Sequence, residues 1–345
     1  MALRGVRALH GRRCYKATKS TLRVIENELR CLLLGTPFAR PPTSGSDERA
    51  LPNARSNDHK PVLGSSCLYS VVGVAMEEGK VLMIQEAKPQ YRGTWSLPAG
   101  SMEQGQTIVD AVKREFKEET GMDYHPQSLL AIHCHGLSKL RFIFVGKVVG
   151  GKLKTTSEAD KESLQAGWFT SDVSRLPLEI PLRLKDVLTV IDVANQWKEP
   201  SSGIVVMPTL QGYTHSCLKV VAVHCQGDKL HVLQSSHDHC SLPSSVSDND
   251  LIIEDIIPAV LKDNGLSRVD QMEVIGVLSV EHDPVGVDCS RDGVCLTLLV
   301  RSAAQLGGGA WVTLEDGLVI ERLRTALTKG TNCIPLIEDK AFRVK

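Results

Sequence analysis

Aromatic residues are scarce, 4% of 345 positions, so the chain offers few flat surfaces on which the bases of a nucleic acid polymer could stack. Charge of one sign is missing as well. Forty lysines and arginines face 40 aspartates and glutamates, and no overall field draws the protein towards a polyanion or anionic lipid. DNA, RNA and the membrane surface are therefore poor partners. Apolar runs stay short, Cys31 to Leu34 being typical, far below the roughly 20 residues of a membrane-spanning helix. The ten cysteines form no Cys-x-x-Cys pair, which argues against a disulfide framework and for reduced thiols inside a cell, in the cytoplasm or in mitochondria.

What is present is ordinary for a folded protein: 42% hydrophobic and 23% charged residues, enough for a sizeable core, over a length that suits two domains better than one. Arg4, Arg7, Arg12, Arg13, Lys16, Lys19 and Arg23 all precede the first acid, Glu26. An organellar transit peptide and a solvated basic tail both fit such a start. Pro37, Pro41, Pro42, Pro52 and Pro61 then follow among polar residues, so 1–63 reads as a basic, proline-containing disordered segment and folding is expected to begin near Gly64.

The runs Leu68 to Met76 and Val81 to Ile84 flank a Glu-Gly turn, the pattern of a β-hairpin. A Gly-rich loop, Tyr91 to Gly100, leads into a helical pattern from Thr107 to Thr120 closed by Gly121. Strand-like runs at 129–134 and 140–149, Gly167-Trp168-Phe169 and a helix near 182–197 complete an irregular alternation, as in a mixed sheet between helices. The second half repeats landmarks of the first. Ser66-Cys67-Leu68 recurs as Ser216-Cys217-Leu218, Ser96-Leu97-Pro98 as Ser241-Leu242-Pro243, Gly121-Met122 as Gly265-Leu266 and Ala166-Gly167-Trp168-Phe169 as Gly309-Ala310-Trp311-Val312. After the first hairpin the offset holds at 143 to 145 residues. Two copies of one α/β fold are expected, over 64–198 and 204–340.

At about 100° per residue, Glu115, Glu118 and Glu119 fall on one stripe of the helix, with Val109, Val112 and Phe116 on a core-facing stripe and Lys113 and Lys117 opposite. Like charges at i, i+3 and i+4 repel. Arg114 can pair with Glu118, yet one guanidinium does not neutralise three acids. Clustered hard oxygens suit Mg²⁺ or Mn²⁺, which complete their shells with water and phosphate oxygens; a solvated acidic face is the plainer explanation of the stripe taken alone.

From Gly100, the chain continues at fixed spacings with Gln106 and then Arg114-Glu115-Phe116-Lys117-Glu118-Glu119-Thr120-Gly121-Met122. This stretch resembles the signature of the Nudix hydrolases, in which a Gly is followed after five residues by Glu and, seven further on, by Arg-Glu, an apolar residue, any residue, Glu-Glu, any residue, Gly and an apolar residue. Eight of its nine defined positions agree; Gln106 stands where the family has Glu. Leu82 to Lys88, Arg92 to Gly100 and Leu153 to Asp160 are similar to the MutT-like animal branch that acts on 8-oxo-guanine nucleoside diphosphates. The resemblance implies a Nudix α/β/α sandwich with a mixed sheet, and hydrolysis of oxidised purine nucleoside diphosphates to monophosphates that keeps damaged bases out of nucleic acid synthesis. ADP-ribose or another nucleoside diphosphate conjugate is the alternative substrate, since the signature concerns phosphate and metal rather than base; a scaffold whose first domain has also decayed is a third reading.

By the same resemblance Glu115, Glu118 and Glu119, with the Gly100 carbonyl, would hold Mg²⁺ or Mn²⁺, Glu115 would also orient or deprotonate the attacking water, and Arg114 would belong to the catalytic set. Glu162 is a further candidate ligand. Lys88 and Arg92 are candidates for phosphate oxygens, and Leu82 and Trp95 for the base pocket. No residue stands out for recognising the oxidised base. In the second copy Ala259, Lys262 and Asp263 replace the three glutamates, Pro258 replaces Arg114 and Ser245 falls near the Gly100 position, so that copy is expected to be degenerate and non-catalytic. His237-Asp238-His239-Cys240 with Cys225 has no defensible zinc spacing.

Overall fold

The computed structural model describes residues 18–38, 61–198, 205–237, 241–246, 253–267, 269, 271–284, 292–302, 308–329 and 333–338. Most of the basic N-terminal start, and Asp238 to Cys240 of the weighed zinc cluster, lie outside them. In chain order the elements are α1 (Lys19–Leu34), β1 (Leu68–Glu77), β2 (Lys80–Glu86), β3 (Trp95–Ser96), β4 (Ala99–Ser101), α2 (Ile108–Thr120), β5 (Met122–Cys134), β6 (Lys139–Gly151), β7 (Ser163–Thr170), α3 (Leu176–Glu179) and α4 (Asp186–Gln196). Then come β8 (Cys217–Gln226), β9 (Lys229–Gln234), β10 (Ser244–Val246), α5 (Ile253–Asp263), β11 (Met272–Glu281), β12 (Cys295–Ser302), β13 (Ala310–Thr313), α6 (Gly317–Lys329) and β14 (Leu336–Glu338).

The elements make two mixed sheets. In the first, β1 lies parallel to β6 and antiparallel to β2 and β4, β5 pairs antiparallel with β6, and β7 with β2. In the second, β8 lies parallel to β12 and antiparallel to β9 and β10, β11 pairs antiparallel with β12, and β13 with β9. The pairing order is the same in both. Helices cover both faces because each strand alternates its apolar side chains between them. Leu82 and Ile84 pack with Val112 and Phe116 of α2, whereas Val81 and Met83 pack with Val187, Val190 and Ile191 of α4. The α2-side core continues without interruption into Val260 and Leu261 of α5 and Val277 of β11.

Two short segments tie the sheets edge to edge. Ile334 exchanges backbone hydrogen bonds with Val277 of β11 at 2.8 and 2.9 Å, while β14, just beyond it, pairs in parallel with β5. Before the second sheet, Leu129 donates to the Val206 carbonyl at 2.8 Å and Thr209 to that of Val280 at 2.9 Å. Both β5 and β11 thereby gain a partner along an otherwise open edge.

Two expectations change here. Residues 19–34 are not disordered: the basic composition masks an apolar stripe, Ile25, Leu29, Leu32 and Leu33, that buries against Val221, Val223 and Leu323. Thr18 caps α1, and Glu26 accepts from the backbone N–H groups of Glu315 and Asp316 at 2.5 and 2.6 Å, ahead of α6. The stretch from Tyr91 to Gly100 is not one loop either. It carries β3 and the start of β4, and Gly100 sits in register with Val71 of β1.

Candidate active site

Helix α2 is delimited by its caps. Thr107 accepts from the Asp110 N–H at 3.0 Å, and Gly121, in the left-handed region at φ 75°, donates to the Lys117 carbonyl at 2.8 Å. The helix runs across β1 and β4, so its acidic stripe meets strand backbone. Glu119, 2% exposed, accepts from the Ala99 N–H at 2.8 Å. Next to it the Glu115 carboxylate lies so close over Gly100 that a Cβ there would occupy the same space. Only glycine leaves that face of β4 open to the acid.

Burial costs the charged form of both acids. Glu119 is pushed up to about 8 by desolvation, against the Ala99 hydrogen bond, with Glu115 and Glu86 adding repulsion and Lys88 opposing it. Glu115 is raised for the same first reason, and the Arg114 charge works the other way. Arg114 gathers this corner. Its Nη1 lies 2.9 Å from Glu118 and 3.0 Å from Glu115, and its Nη2 donates to the Ser101 carbonyl at 2.9 Å and to Gln106 Oε1 at 3.2 Å. Gln106 Oε1 also accepts from the Glu103 N–H at 3.1 Å. An amide at 106 thus keeps the bond to Arg114 and forgoes a charge.

The structure sets Glu115 over Gly100 and Glu119 on the adjoining Ala99 N–H and leaves Glu118 on the outer flank with Arg114, half exposed. Among the described residues no three acidic, histidine or cysteine side chains stand together as a metal cage, and Arg114 links Glu118 to Glu115. Glu162 is near enough to act on the Glu115 charge and contacts Lys161 at 3.5 Å. Lys88 is near Glu119, whereas Arg92 is exposed and donates to the Ala87 carbonyl at 3.2 Å. Leu82, fully buried, belongs to the α2-side core. Trp95 is buried edge-on to Phe169, ring centres 4.4 Å apart.

Sequence reasoning missed Glu86 and Arg183. Glu86 is 2% exposed beside the acidic pair and is salt-bridged to Arg183, 97 positions away. The expected helix near 182–197 starts only at Asp186, because Pro181 to Arg183 run extended along Trp95. No local sequence pattern links such distant partners.

The matching corner of the second sheet carries different hydrogen bonds. Ser236 N–H donates to Asn264 at 2.7 Å and its hydroxyl to the Asp263 carbonyl at 3.0 Å. Ala259, Lys262 and Asp263 are exposed, and Ser245, in register with Leu218, stands where Gly100 pairs with Val71.

Two buried carboxylates on a capped helix thus lie against β4 at Ala99 and Gly100. The match of residues 69–188 to the NUDIX domain model fits that arrangement. Over 293 residues the chain is 35% identical to the 8-oxo-dGDP phosphatase NUDT18 of Homo sapiens, covering 79% of this chain and 88% of that one. It is 36% identical to its counterpart in Mus musculus over 70% of this chain and 74% of the other. A shorter match, 33% identical over 31% of this chain and 63% of the relative, is to an ADP-ribose pyrophosphatase of Methanocaldococcus jannaschii. The chain belongs to the Nudix hydrolases, enzymes that generally require a divalent cation.

Proposed function

We propose that the chain hydrolyses oxidised purine nucleoside diphosphates, 8-oxo-dGDP and 8-oxo-GDP among them, to monophosphate and phosphate with Mg²⁺ or Mn²⁺. The observation that carries this reading is the buried Glu115 carboxylate over Gly100 with the buried Glu119 on the adjoining Ala99 N–H. The substrate rests on the two mammalian phosphatases that share most of their length with this chain. The oxygen-only donor set fits a hard cation, and the side-chain-free face of Gly100 provides the close approach it needs. Glu115, Glu118 and Glu119, with the Gly100 carbonyl and Glu162 at the rim, would hold the cation, which when bound supplies charge neutralisation along the diphosphate.

The protein's own groups do the rest. Glu115, raised by burial and restrained by Arg114, accepts a proton from the attacking water. Arg114 keeps Glu115 and Glu118 oriented through one guanidinium, and Lys88 offers a positive charge for phosphate oxygens beside Glu119. The second half we read as a degenerate, non-catalytic copy over 204–340. None of the seven cysteines among the described residues is in a disulfide, which fits a reducing interior, cytoplasmic or mitochondrial. No helix among the described residues is long and apolar enough to cross a membrane.

The test is a panel of oxidised and unmodified purine di- and triphosphates plus ADP-ribose, with Mg²⁺ or Mn²⁺. Preferred release of phosphate from 8-oxo-dGDP is expected. Preferred cleavage of ADP-ribose would move the substrate to the conjugate class, and no turnover of any of them would remove the reading.

A further inference from the structure

The acidic stripe of α2 lies in its last two turns, where the final carbonyls of a helix have no partner inside it. Residues 152–163, the connection from β6 to β7, supply the partners. Lys154 Nζ donates to the Glu118 carbonyl at 3.1 Å and Ser163 Oγ to that of Glu119 at 2.7 Å. The backbone N–H groups of Lys154 and Lys152 donate to the Thr120 and Gly121 carbonyls at 2.8 and 3.2 Å. Lys154 is only 6% exposed, a depth at which lysine is found when paired, and its Nζ lies 2.8 Å from Asp160 Oδ2. The other oxygen of Asp160 accepts from the N–H groups of Glu162 and Ser163 at 2.9 and 3.1 Å. One ammonium and one carboxylate thus join the end of α2 to the turn that carries Glu162, whose charge bears on Glu115.

The second half has the same connection without the pair. Residues 303–309, between β12 and β13, contain no lysine and no acid, and α5 lacks the three glutamates. Both sheets need a link at this place, so closing the fold does not call for a charged pair there. We propose that Lys154 and Asp160 are positioning residues for the cation site: Lys154 fixes the last turn of α2, and with it Glu118 and Glu119, while Asp160 holds Glu162 against that turn. Both act through the acids rather than on the substrate. The clamp rests on the reading of this corner as a cation site and adds the two residues that set its spacing.

The test is Mn²⁺ affinity, read by electron paramagnetic resonance on the full chain with a non-hydrolysed nucleotide diphosphate analogue, beside kcat and KM for 8-oxo-dGDP. Asp160→Asn keeps an oxygen for the two N–H groups and loses the charge facing Lys154. Its side chain is half exposed, so the fold should survive, as thermal melting checks. Lys154→Met removes the other partner; if it fails to fold, Asp160→Asn decides alone. Each variant should weaken Mn²⁺ binding and lower kcat about 10- to 100-fold, the cost of losing a group that orients a metal ligand, with KM within about threefold. In a Glu162→Gln background Asp160→Asn should cost about twofold at most, because its effect runs through Glu162. A lower melting temperature with unchanged Mn²⁺ affinity and kcat would make the pair structural and overturn the proposal, as would a full cost of Asp160→Asn in the Glu162→Gln chain. If wild type itself takes up no Mn²⁺, the cation-site reading falls and the clamp with it. If wild type and both variants take it up alike, the clamp alone falls.

Discussion

The two sheets share one pairing order and differ at the corner where α2 and α5 meet their strands. In the first, Gly73 donates to the Pro98 carbonyl at 3.0 Å; in the second, Val220 donates to the Pro243 carbonyl at 2.8 Å. Gly73 leaves room for Phe116, which stacks on Tyr124 at 4.2 Å. With Val220 in its place, α5 carries the smaller Val260 where α2 carries Phe116. Volume is conserved across the contact while shape is not, the kind of exchange that cores tolerate. The acidic corner follows the opposite rule. Burying Glu115 and Glu119 works against folding, and at the matching positions α5 has an exposed Ala259 and Asp263. A core can drift as long as it stays full; a buried acidic pair is kept only where something uses it.

The largest expected effect sharpens that contrast. Glu119→Gln and Glu115→Gln should each lower kcat by about a thousandfold or more, the scale of losing a central catalytic group, while Lys262→Ala and Asp263→Asn leave it within about twofold; steady-state hydrolysis measures both. Gly100→Ala should come next. The new Cβ meets the end of a flexible side chain, so the fold yields cheaply, and melting is expected to stay close to wild type. Displacing the Glu115 carboxylate should nevertheless cost about a hundredfold in kcat, whereas Ser245→Ala should cost nothing measurable.

On the stability side, Ile25→Ala or Leu29→Ala in α1 should destabilise by about 2–5 kcal/mol in denaturant unfolding, because this helix serves as a second cover, beside α6, for the second sheet. A milder effect follows from the raised pKa of Glu119. An acid whose folded value, about 8, exceeds its ordinary 4.5 favours folding fully below the ordinary value, and that contribution is lost as pH rises through 8. In chelator, thermal stability should therefore fall between pH 5 and 8. The fall should be flattened by Glu119→Gln and opposed by added Mn²⁺. Gln106→Glu should have the smallest effect, changing kcat or the Mg²⁺ to Mn²⁺ preference about severalfold, since Gln106 already bonds Arg114.

Much of the corner was legible in sequence. The caps Thr107 and Gly121, the acidic stripe of α2 and the departure at Gln106 all rest on spacings within 23 residues, and the hairpin of β1 and β2 announced itself by its turn. The misses share a different cause. Helix α1 was hidden because seven basic residues before Glu26 outweigh an apolar period that only packing on the second sheet makes meaningful. Strands β3, β4 and β14 are two or three residues long, too short for any alternation to show. Glu86 and Arg183 meet only because Pro181 to Arg183 lie along Trp95, a contact fixed by the tertiary fold.

The most direct test is a Mn²⁺ titration of the full chain with a non-hydrolysed nucleotide diphosphate analogue present, followed by electron paramagnetic resonance. Binding should be lost in Glu115→Gln combined with Glu119→Gln and retained in Lys262→Ala combined with Asp263→Asn. Undiminished Mn²⁺ uptake by the first double variant, or its loss in the second, would contradict the assignment of the cation site to the first sheet.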